Sequence, residues 1–280
     1  MNPSAPQLVD LGDYLSRPSE AERELARMFR PKSPLVIFDI GACEGEESIR
    51  FARHFPRARI FAFEPLAANQ RLVRENFGRY GVTSAELIPL ALSDRSGPAT
   101  FHISSGRPPD LFAGEAWNYG NKSSSLLPPA GTAPMFGWIE FKETVTVECD
   151  TLDHFCARRS LQQIDFIHMD VQGAESLVLA GATAMLPRVQ SVWLEVANKE
   201  FYRGQKLRAE IEAFMRLHGF ALMYETVRGD EGDQFYVNRH TPAGRRRLAW
   251  FACEQVLRKL RRLAGTMKRR LLGASAQSYP

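Results

Sequence analysis

The residues Leu35-Val-Ile-Phe-Asp-Ile-Gly-Ala-Cys-Glu-Gly45 form the stretch around which the rest of the chain can be arranged. They begin as a nearly continuous apolar run, which is typical of a strand buried on both faces of a parallel sheet. Gly41 and Gly45 then let the backbone turn sharply and approach a ligand, because neither carries a Cβ atom. Glu46 and Glu47 open a helical pattern whose free N–H groups point back at this turn. The stretch predicts a cradle for a nucleotide-like cofactor, with a tight turn that binds nothing as the alternative.

Further apolar segments follow at the spacing of a doubly wound α/β sheet. Strands are predicted over 59–65, 85–91, 165–170 and 191–196, and helices over 46–55, 66–80, 150–160, 175–181 and 206–218. Two segments, 100–103 and 144–147, alternate like antiparallel strands, and 220–225 with 235–238 resembles a final hairpin. We expect a mostly parallel α/β sheet in a domain over 34–240, with a lid-like insertion at about 104–143 that is rich in Gly, Pro, Ser and aromatic residues.

The two ends of the chain differ from this domain. Residues 1–33 are expected to form a loose tail up to about Ser19, followed by a short helix over 20–30. The segment 245–272 carries ten Lys or Arg and one Glu, which gives +9, so the rest of the +4 chain is about −5. Within 241–280, apolar residues recur at helical spacing and arginines fall opposite them, which predicts a basic amphipathic helix. Its apolar stripe includes Ala249 and Cys253, and Arg247 lies on the opposite side.

This C-terminal segment has three interpretations. It fits a helix that lies on an anionic membrane surface through residues 245–272. It equally fits a helix that packs its stripe on the domain or on a second copy, and the oligomeric state is left open. Nucleic acid is not expected as a partner, because phosphates supply no apolar phase for the stripe.

The spacing of the cysteines and the composition of the N-terminus indicate in which cellular compartment the protein is expected. The four cysteines show no Cys-x-x-Cys spacing, which favours a reducing compartment over a disulfide framework or a zinc site. No signal peptide and no membrane-spanning run is apparent. We therefore expect a cytoplasmic protein, with peripheral contact at the inner face of the membrane as a possibility left by the C-terminal segment.

Polar residues gather where the predicted strands end, which is where open α/β sheets bind ligands. Glu64 ends the second strand, and an acid at this position commonly accepts hydrogen bonds from a ribose diol, in NAD or in S-adenosylmethionine. The alternative for Glu64 is a helix N-terminal acid. The turn lacks the G-x-G-x-x-G order of NAD-binding sites. This makes the hypothesis of an NAD-dependent oxidoreductase weaker.

An ordered set of motifs resembles the FkbM family of S-adenosylmethionine-dependent O-methyltransferases. The motifs are Phe38-Asp-Ile-Gly-Ala-Cys-Glu-Gly45, Phe61-Ala-Phe-Glu-Pro65, Ala91-Leu-Ser-Asp94, Ser123-Ser-Ser-Leu126, Thr151-Leu-Asp153 and Met169-Asp-Val-Gln-Gly-Ala-Glu175. The resemblance covers roughly Leu35 to Glu225. It implies a class I methyltransferase sheet, Rossmann-like and doubly wound, with seven mostly parallel strands of which the last is antiparallel.

The resemblance also implies roles for individual residues. The methionine and ribose part of S-adenosylmethionine would be lined by Asp39, Gly41, Ala42 and Gly45. Glu64 would hold the ribose, and Ser93 with Asp94 would lie near the adenine. The transfer site would be faced by Asp170, Glu175 and Glu195. The chain departs from the family at Gln172, where Glu is usual, and at His168, where Lys is usual.

Methyl transfer to a hydroxyl requires a group that receives the proton. Asp170 or His168 could do so, since they share parity on one strand, although His168 also fits a hydrogen-bonded buried histidine. A divalent metal on Asp170, Glu175 and Glu195 is compatible with the residues but not demanded by them, and none is predicted. The predicted function is O-methylation of a hydroxyl on a glycan, glycolipid or related natural product, with a small-molecule or glycan acceptor as the partner. The alternatives are an NAD-dependent oxidoreductase and a non-catalytic membrane-associated scaffold.

Overall fold

The computed structural model describes residues 10–107, 119–130 and 137–254. Its main element is a seven-stranded sheet in the order β3-β2-β1-β7-β8-β10-β9. The strands are β1 (Val36–Ile40), β2 (Arg59–Phe63), β3 (Ala85–Ile88), β7 (Phe166–Met169), β8 (Ser191–Ala197), β9 (Phe220–Glu225) and β10 (Glu231–Asn238). The neighbours from β3 to β8 pair in parallel, and β10 is antiparallel to both β8 and β9. The doubly wound class I methyltransferase sheet is thereby confirmed.

Helices cover both faces of this sheet. They are α1 (Leu11–Ser16), α2 (Glu20–Met28), α3 (Glu46–His54), α4 (Ala67–Arg79), α5 (Leu152–Arg158), α6 (Glu175–Ala180), α7 (Arg208–Leu217) and a last helix, α8, over 242–254. Alternate residues of β1 show why both faces are needed. Phe38 and Ile40 pack with the apolar residues of α5, α6 and α7, whereas Ile37 packs with those of α2 and α3.

A smaller sheet flanks the insertion. It contains β4 (Ala91–Leu92), β5 (Gly97–Ser105) and β6 (Glu140–Asp150) in the order β4-β6-β5. β5 and β6 are antiparallel, as the alternation predicted, but they are much longer than 100–103 and 144–147. The single strand expected over 85–91 is wrong, because the chain leaves the main sheet after Ile88 and Ala91 pairs instead with β6.

The N-terminal segment is more ordered than expected. The loose tail is wrong for Leu11–Ser16, which form α1 with Asp10 as the N-cap. Arg50 of α3 explains this, because its guanidinium donates to the backbone carbonyls of Tyr14 and Arg17 and to the Glu22 carboxylate. A short polar helix is marginal alone, so tertiary contacts of this kind decide whether it forms.

The start of the C-terminal segment packs on the domain through Ala243, Arg247 and Leu248, whereas Arg245 and Arg246 are exposed. In α8, Arg247 is only 3% exposed at its side chain and forms a 2.7 Å ion pair with the buried Glu24 of α2. Ala249 and Cys253, the first members of the apolar stripe, are exposed. The rest of the proposed amphipathic segment, residues 255–280, lies outside the described residues. In the portion of the chain that the structure covers, no helix is long and apolar enough to cross a bilayer.

Candidate active site

The Gly-rich turn joins the ends of three strands. Gly41 adopts a φ of 88°, and a Cβ atom there would lie 1.9 Å from the backbone oxygen of Asp170 at the end of β7. The amides of Gly41 and Ala42 donate to the carbonyl of Phe63 at the end of β2. Gly45, with a φ of 81°, ends the turn and caps α3. Only glycine fits position 41, because any side chain would collide with the β7 backbone.

Glu64 braces this turn from the second strand. Its carboxylate accepts hydrogen bonds from the amides of Cys43, at 2.9 Å, and Leu66, at 2.8 Å. The residue is 4% exposed, and burial raises the pKa of Glu64 to about 8, against those two hydrogen bonds. Carboxylate oxygens have further lone pairs, so Glu64 keeps acceptor capacity toward a ligand.

A first cavity, of about 50 Å³, lies beside Glu64. Gly41 and Asp170 form one side of it, and apolar residues including Leu66, Leu92 and Phe101 form much of the rest. Ser93 and Asp94 are not among the lining residues. The Ser93 amide binds the Asp150 carbonyl and its hydroxyl lies against Asp94. Their role beside the adenine remains a prediction, and Leu92 is the neighbour that reaches the cavity.

A buried Asp–His pair stands on the opposite face of the same sheet edge. Asp39 and His168 are direct partners in the β1–β7 register, and His168 Nδ1 lies 3.0 Å from Asp39 Oδ1. The hydroxyl of Ser48 donates to the other Asp39 oxygen at 2.6 Å. Burial lowers the pKa of His168, but the hydrogen bond and charge of Asp39 outweigh burial and raise it to about 9. His168 is therefore largely protonated at neutral pH.

This pair should make stability depend on pH. The folded pKa of His168 is about 9, above the 6.5 of an ordinary histidine. Its stabilising effect is therefore fully present below about pH 6.5 and is lost as the pH rises through about 9. We expect His168→Asn to remove this part of the pH dependence, measured by urea unfolding at about pH 6 and about pH 9.5.

The comparison with wild type is needed because other groups titrate in the same window. Burial raises the pKa of Glu64 to about 8 and of Glu175 to about 7, so both also favour the folded state at lower pH. Equal losses of unfolding free energy in wild type and His168→Asn between the two pH values would contradict the assignment.

Asp170 and Glu195 are bridged by the side chain of Gln172. Its amide nitrogen lies 2.7 Å from Asp170 Oδ1 and 3.2 Å from Glu195 Oε2. Its amide oxygen lies 3.1 Å from the Tyr202 hydroxyl, which also contacts the Ser123 carbonyl at 2.8 Å. Burial raises the pKa of both carboxyls, and the charge of Asp170 raises that of Glu195 further. A Gln at this position donates one N–H to each of two carboxylates, whereas the Glu usual in the family has at most one donor hydrogen, and only when it is protonated.

Glu175 does not line the first cavity, although its neighbour Ala174 does. Its carboxylate accepts from the backbone amides of Val171 and Gly173, at 3.2 and 3.3 Å, and so holds the turn that carries Gln172. Burial raises its pKa to about 7. Among the described residues, no cluster of three or more His, Cys, Asp or Glu is arranged to hold a metal ion.

A second cavity, of about 410 Å³, adjoins the first on the face of the Asp39–His168 pair. The two cavities share Gly41, Cys43, Lys122 and Asp170. The second cavity is strongly acidic, with carboxylates from Glu20, Asp39, Glu46, Glu47, Asp170, Glu195 and Asp233. Tyr14 and Ser19 line it as well, so the N-terminal segment, which the sequence analysis assigned to a tail, forms part of its wall.

Part of the insertion lies over the Gly-rich turn. The Asn121 side chain donates to the carboxylate of Glu44 and the amide oxygen of Asn69, both at 3.2 Å. Lys122 binds Glu46 at 2.7 Å and lines both cavities. A third, small cavity of about 30 Å³ lies between this segment and Tyr202, with Gln172 and Glu195 at its edge. The three cavities therefore meet around Asp170, Gln172 and Glu195.

The chain is similar in sequence to known methyltransferases. The methyltransferase FkbM domain model matches residues 39–222. The 2-O-methyltransferase NoeI of Sinorhizobium fredii is 34% identical over 231 residues, which are 81% of this chain and 90% of that protein. The 31-O-demethyl-FK506 methyltransferase FkbM of Streptomyces tacrolimicus is 28% identical over 68% of this chain and 74% of its own length.

Among solved structures, the N-terminal domain of EvdMO1 with SAH bound aligns over 81% of this chain and 83% of its own, at 15% identity and a TM-score of 0.41. The fold assignment rests on the strand order described above rather than on that alignment. The match of the family model over most of the chain is the stronger finding. The chain belongs to the FkbM family, and it is an S-adenosylmethionine-dependent O-methyltransferase.

Proposed function

We propose that the protein methylates a hydroxyl of a glycan, glycolipid or related natural product, with Asp170 as the group that receives the hydroxyl proton. S-adenosylmethionine supplies a methyl group on a positively charged sulfur. The observation that carries the proposal is that Asp170 lines both the first and the second cavity, beside the Gly-rich turn, and is bridged through Gln172 to Glu195 at the edge of the third. This is where an acceptor oxygen and the methyl carbon would approach in line.

The residues support the cofactor's fit at the turn. Gly41 leaves the space that a Cβ atom would fill, and Glu64 is placed to accept hydrogen bonds from a ribose. Asp39, Ala42 and Gly45 shape the same turn. Leu92 and Phe101 would offer an apolar surface to the adenine, and Ser93 with Asp94, which follow Leu92 in the chain, would lie near it.

The two candidate bases, Asp170 and His168, have different roles, because only one of them can accept a proton readily at neutral pH. On transfer of the methyl group to the acceptor oxygen, the Asp170 carboxylate would receive the hydroxyl proton. His168 is a poor base at neutral pH, because Asp39 keeps its pKa near 9. We assign His168 to holding a positive charge beside the reacting groups, Glu195 to orienting the acceptor, and Glu175 to positioning the turn.

The acceptor class is tested with purified protein, S-adenosylmethionine and a panel of methyl glycosides, a glycolipid and a macrolide alcohol. We expect a glycoside or glycolipid to gain one methyl group on oxygen, by mass spectrometry and NMR, as S-adenosylhomocysteine forms in equal amount. The names of the two relatives specify transfer to an oxygen, which supports oxygen as the methylated atom. Methylation of the macrolide alcohol alone would overturn the glycan class.

We also propose peripheral contact with anionic membranes through residues 245–272. The exposed Ala249, Cys253 and Trp250 support it, because the stripe's first members do not pack on the domain. Residues 255–280 contain seven Lys or Arg. Each basic residue near an anionic surface contributes about 1 kcal/mol, and salt weakens this.

Deletion of residues 255–280 should therefore abolish binding to vesicles that contain anionic lipid. This deletion leaves the buried Arg247–Glu24 pair in place, which a truncation after Pro242 would remove. Co-sedimentation at low and high salt measures the effect, with vesicles of neutral lipid as the control. Full-length and shortened proteins that stay equally in the supernatant at low salt would rule the contact out.

A further inference from the structure

Glu47, in the first turn of α3, lines the second cavity and carries a buried oxygen without a hydrogen-bond partner among the described residues. Its Oε1 accepts a hydrogen bond from the Tyr14 hydroxyl and lies 3.2 Å from Arg50 Nε. Its Oε2 is buried and has no hydrogen-bond partner within the described ranges 10–107, 119–130 and 137–254. The side chain is only 9% exposed. A buried carboxylate oxygen left unpaired is costly, so this atom indicates a ligand that donates a hydrogen bond.

The position of Glu47 indicates which part of a ligand it meets. Glu47 follows Gly45 by two residues, so it stands directly beyond the turn that separates the two cavities. Adenosine bound beside Glu64 in the first cavity would place the remaining, amino-acid end of the cofactor past Gly41 and Cys43. That path opens into the second cavity.

The charged side chains that line the second cavity indicate the charge of the ligand group that binds there. Seven carboxylates line it, and its two cationic side chains are already paired, His168 with Asp39 and Lys122 with Glu46. A positively charged donor is therefore favoured over a neutral one.

We propose that Glu47 binds the ammonium group at the amino-acid end of the cofactor, and that Tyr14 orients its carboxylate. This rests on the cofactor placement proposed above. Arg50 links the arrangement to the N-terminal segment, because it also holds Tyr14, Arg17 and Glu22. The helices before β1 thus belong to the cofactor site, and α1 and α2 close it.

Two ligands separate this proposal from a general loss of structure. S-adenosylhomocysteine carries the ammonium group, whereas 5′-methylthioadenosine shares the adenosine and the sulfur but lacks the amino-acid end. Measured by isothermal calorimetry, Glu47→Gln should lower the affinity for S-adenosylhomocysteine about 10-fold or more and leave the affinity for 5′-methylthioadenosine unchanged. Tyr14→Phe should act in the same direction, more weakly. Glu86→Gln, the same substitution at a surface carboxylate that pairs with Arg159 and lines none of the three cavities, is the matched control and should change neither affinity.

The outcomes are distinct. An unchanged affinity of Glu47→Gln for S-adenosylhomocysteine would overturn the proposal, and so would equal losses for the two ligands. If Glu47→Gln fails to fold, the same pair of measurements on Tyr14→Phe decides in the same way. Wild-type protein that binds neither ligand would instead overturn the cofactor placement itself, which is a different result.

Discussion

Replacing Asp170 by Asn is expected to lower turnover by about 10²- to 10⁴-fold while S-adenosylhomocysteine still binds. Asparagine has the same shape, and its carbonyl oxygen can still accept the 2.7 Å hydrogen bond that Gln172 donates to Asp170. The Gly41 contact also persists, because it involves the backbone oxygen of residue 170. What the substitution removes is the carboxylate that receives the proton.

Steady-state rates with an acceptor from the panel, together with calorimetry, measure both effects. Asp230→Asn is the matched control, since Asp230 forms an exposed pair with Lys199 and lines none of the three cavities described above. A rate near that of wild type would show that Asp170 is not the base. His168→Asn would then be the next variant to measure.

Replacing Glu64 by Ala is expected to weaken S-adenosylhomocysteine binding by about 10- to 150-fold, which corresponds to about 1.5–3 kcal/mol. The carboxylate would accept hydrogen bonds from the ribose, and it already holds the amides of Cys43 and Leu66 that shape the turn. Alanine removes all of these together. Glu64→Gln keeps the size and one acceptor oxygen, so its loss should be smaller.

The control for Glu64 lies on the neighbouring strand. Glu86 of β3 pairs with Arg159 at the surface, and Glu86→Ala should leave ligand affinity unchanged. Thermal unfolding shows whether each variant still folds, because Glu64→Ala leaves two amides without their acceptor. A folded Glu64→Ala protein with the affinity of wild type would disprove the ribose role.

The local pattern of apolar residues was sufficient to predict the central strands of the main sheet, but it was insufficient to predict where the chain leaves the sheet at its edge. The apolar runs of β1, β2, β7 and β8 identify buried parallel strands, and their order follows from doubly wound topology. The split between Ile88 and Ala91 could not be read in this way, because both halves are apolar and only pairing with β6 separates them. The α1 helix was missed for a related reason, since contacts from Arg50 stabilise it.

Within the site, sequence identified residues at strand ends but not their partners. Parity placed His168 and Asp170 on the same side, yet the Asp39–His168 hydrogen bond depends on the register of two strands 129 residues apart. The place of Glu175 at the transfer site stays a prediction, and sequence did not show that its carboxylate binds backbone amides of its own turn. The Gln at position 172 was recognised only as a departure, and its bridge requires the fold of the turn, where its φ is 54°.

Nothing in the sequence around Tyr14 or Glu47 indicated that these residues belong to the site. Glu47 read as an ordinary acid at a helix N-terminus, and Tyr14 lay in a presumed tail. In the structure Glu47 pairs with Arg50, three residues later in α3. The unsatisfied oxygen that distinguishes Glu47 appears only once the side chains are packed.

A crystal structure of the wild-type protein with S-adenosylhomocysteine tests most directly whether the cofactor spans the two cavities. The account predicts the ribose on Glu64, the sulfur beside Asp170 at the Gly-rich turn, and the amino-acid end in the second cavity. An acceptor oxygen placed about 3–3.5 Å from the transferred methyl carbon would then lie at the meeting point of the cavities. A ligand bound with its ribose away from Glu64, or with its sulfur outside the junction at Asp170, would contradict the account.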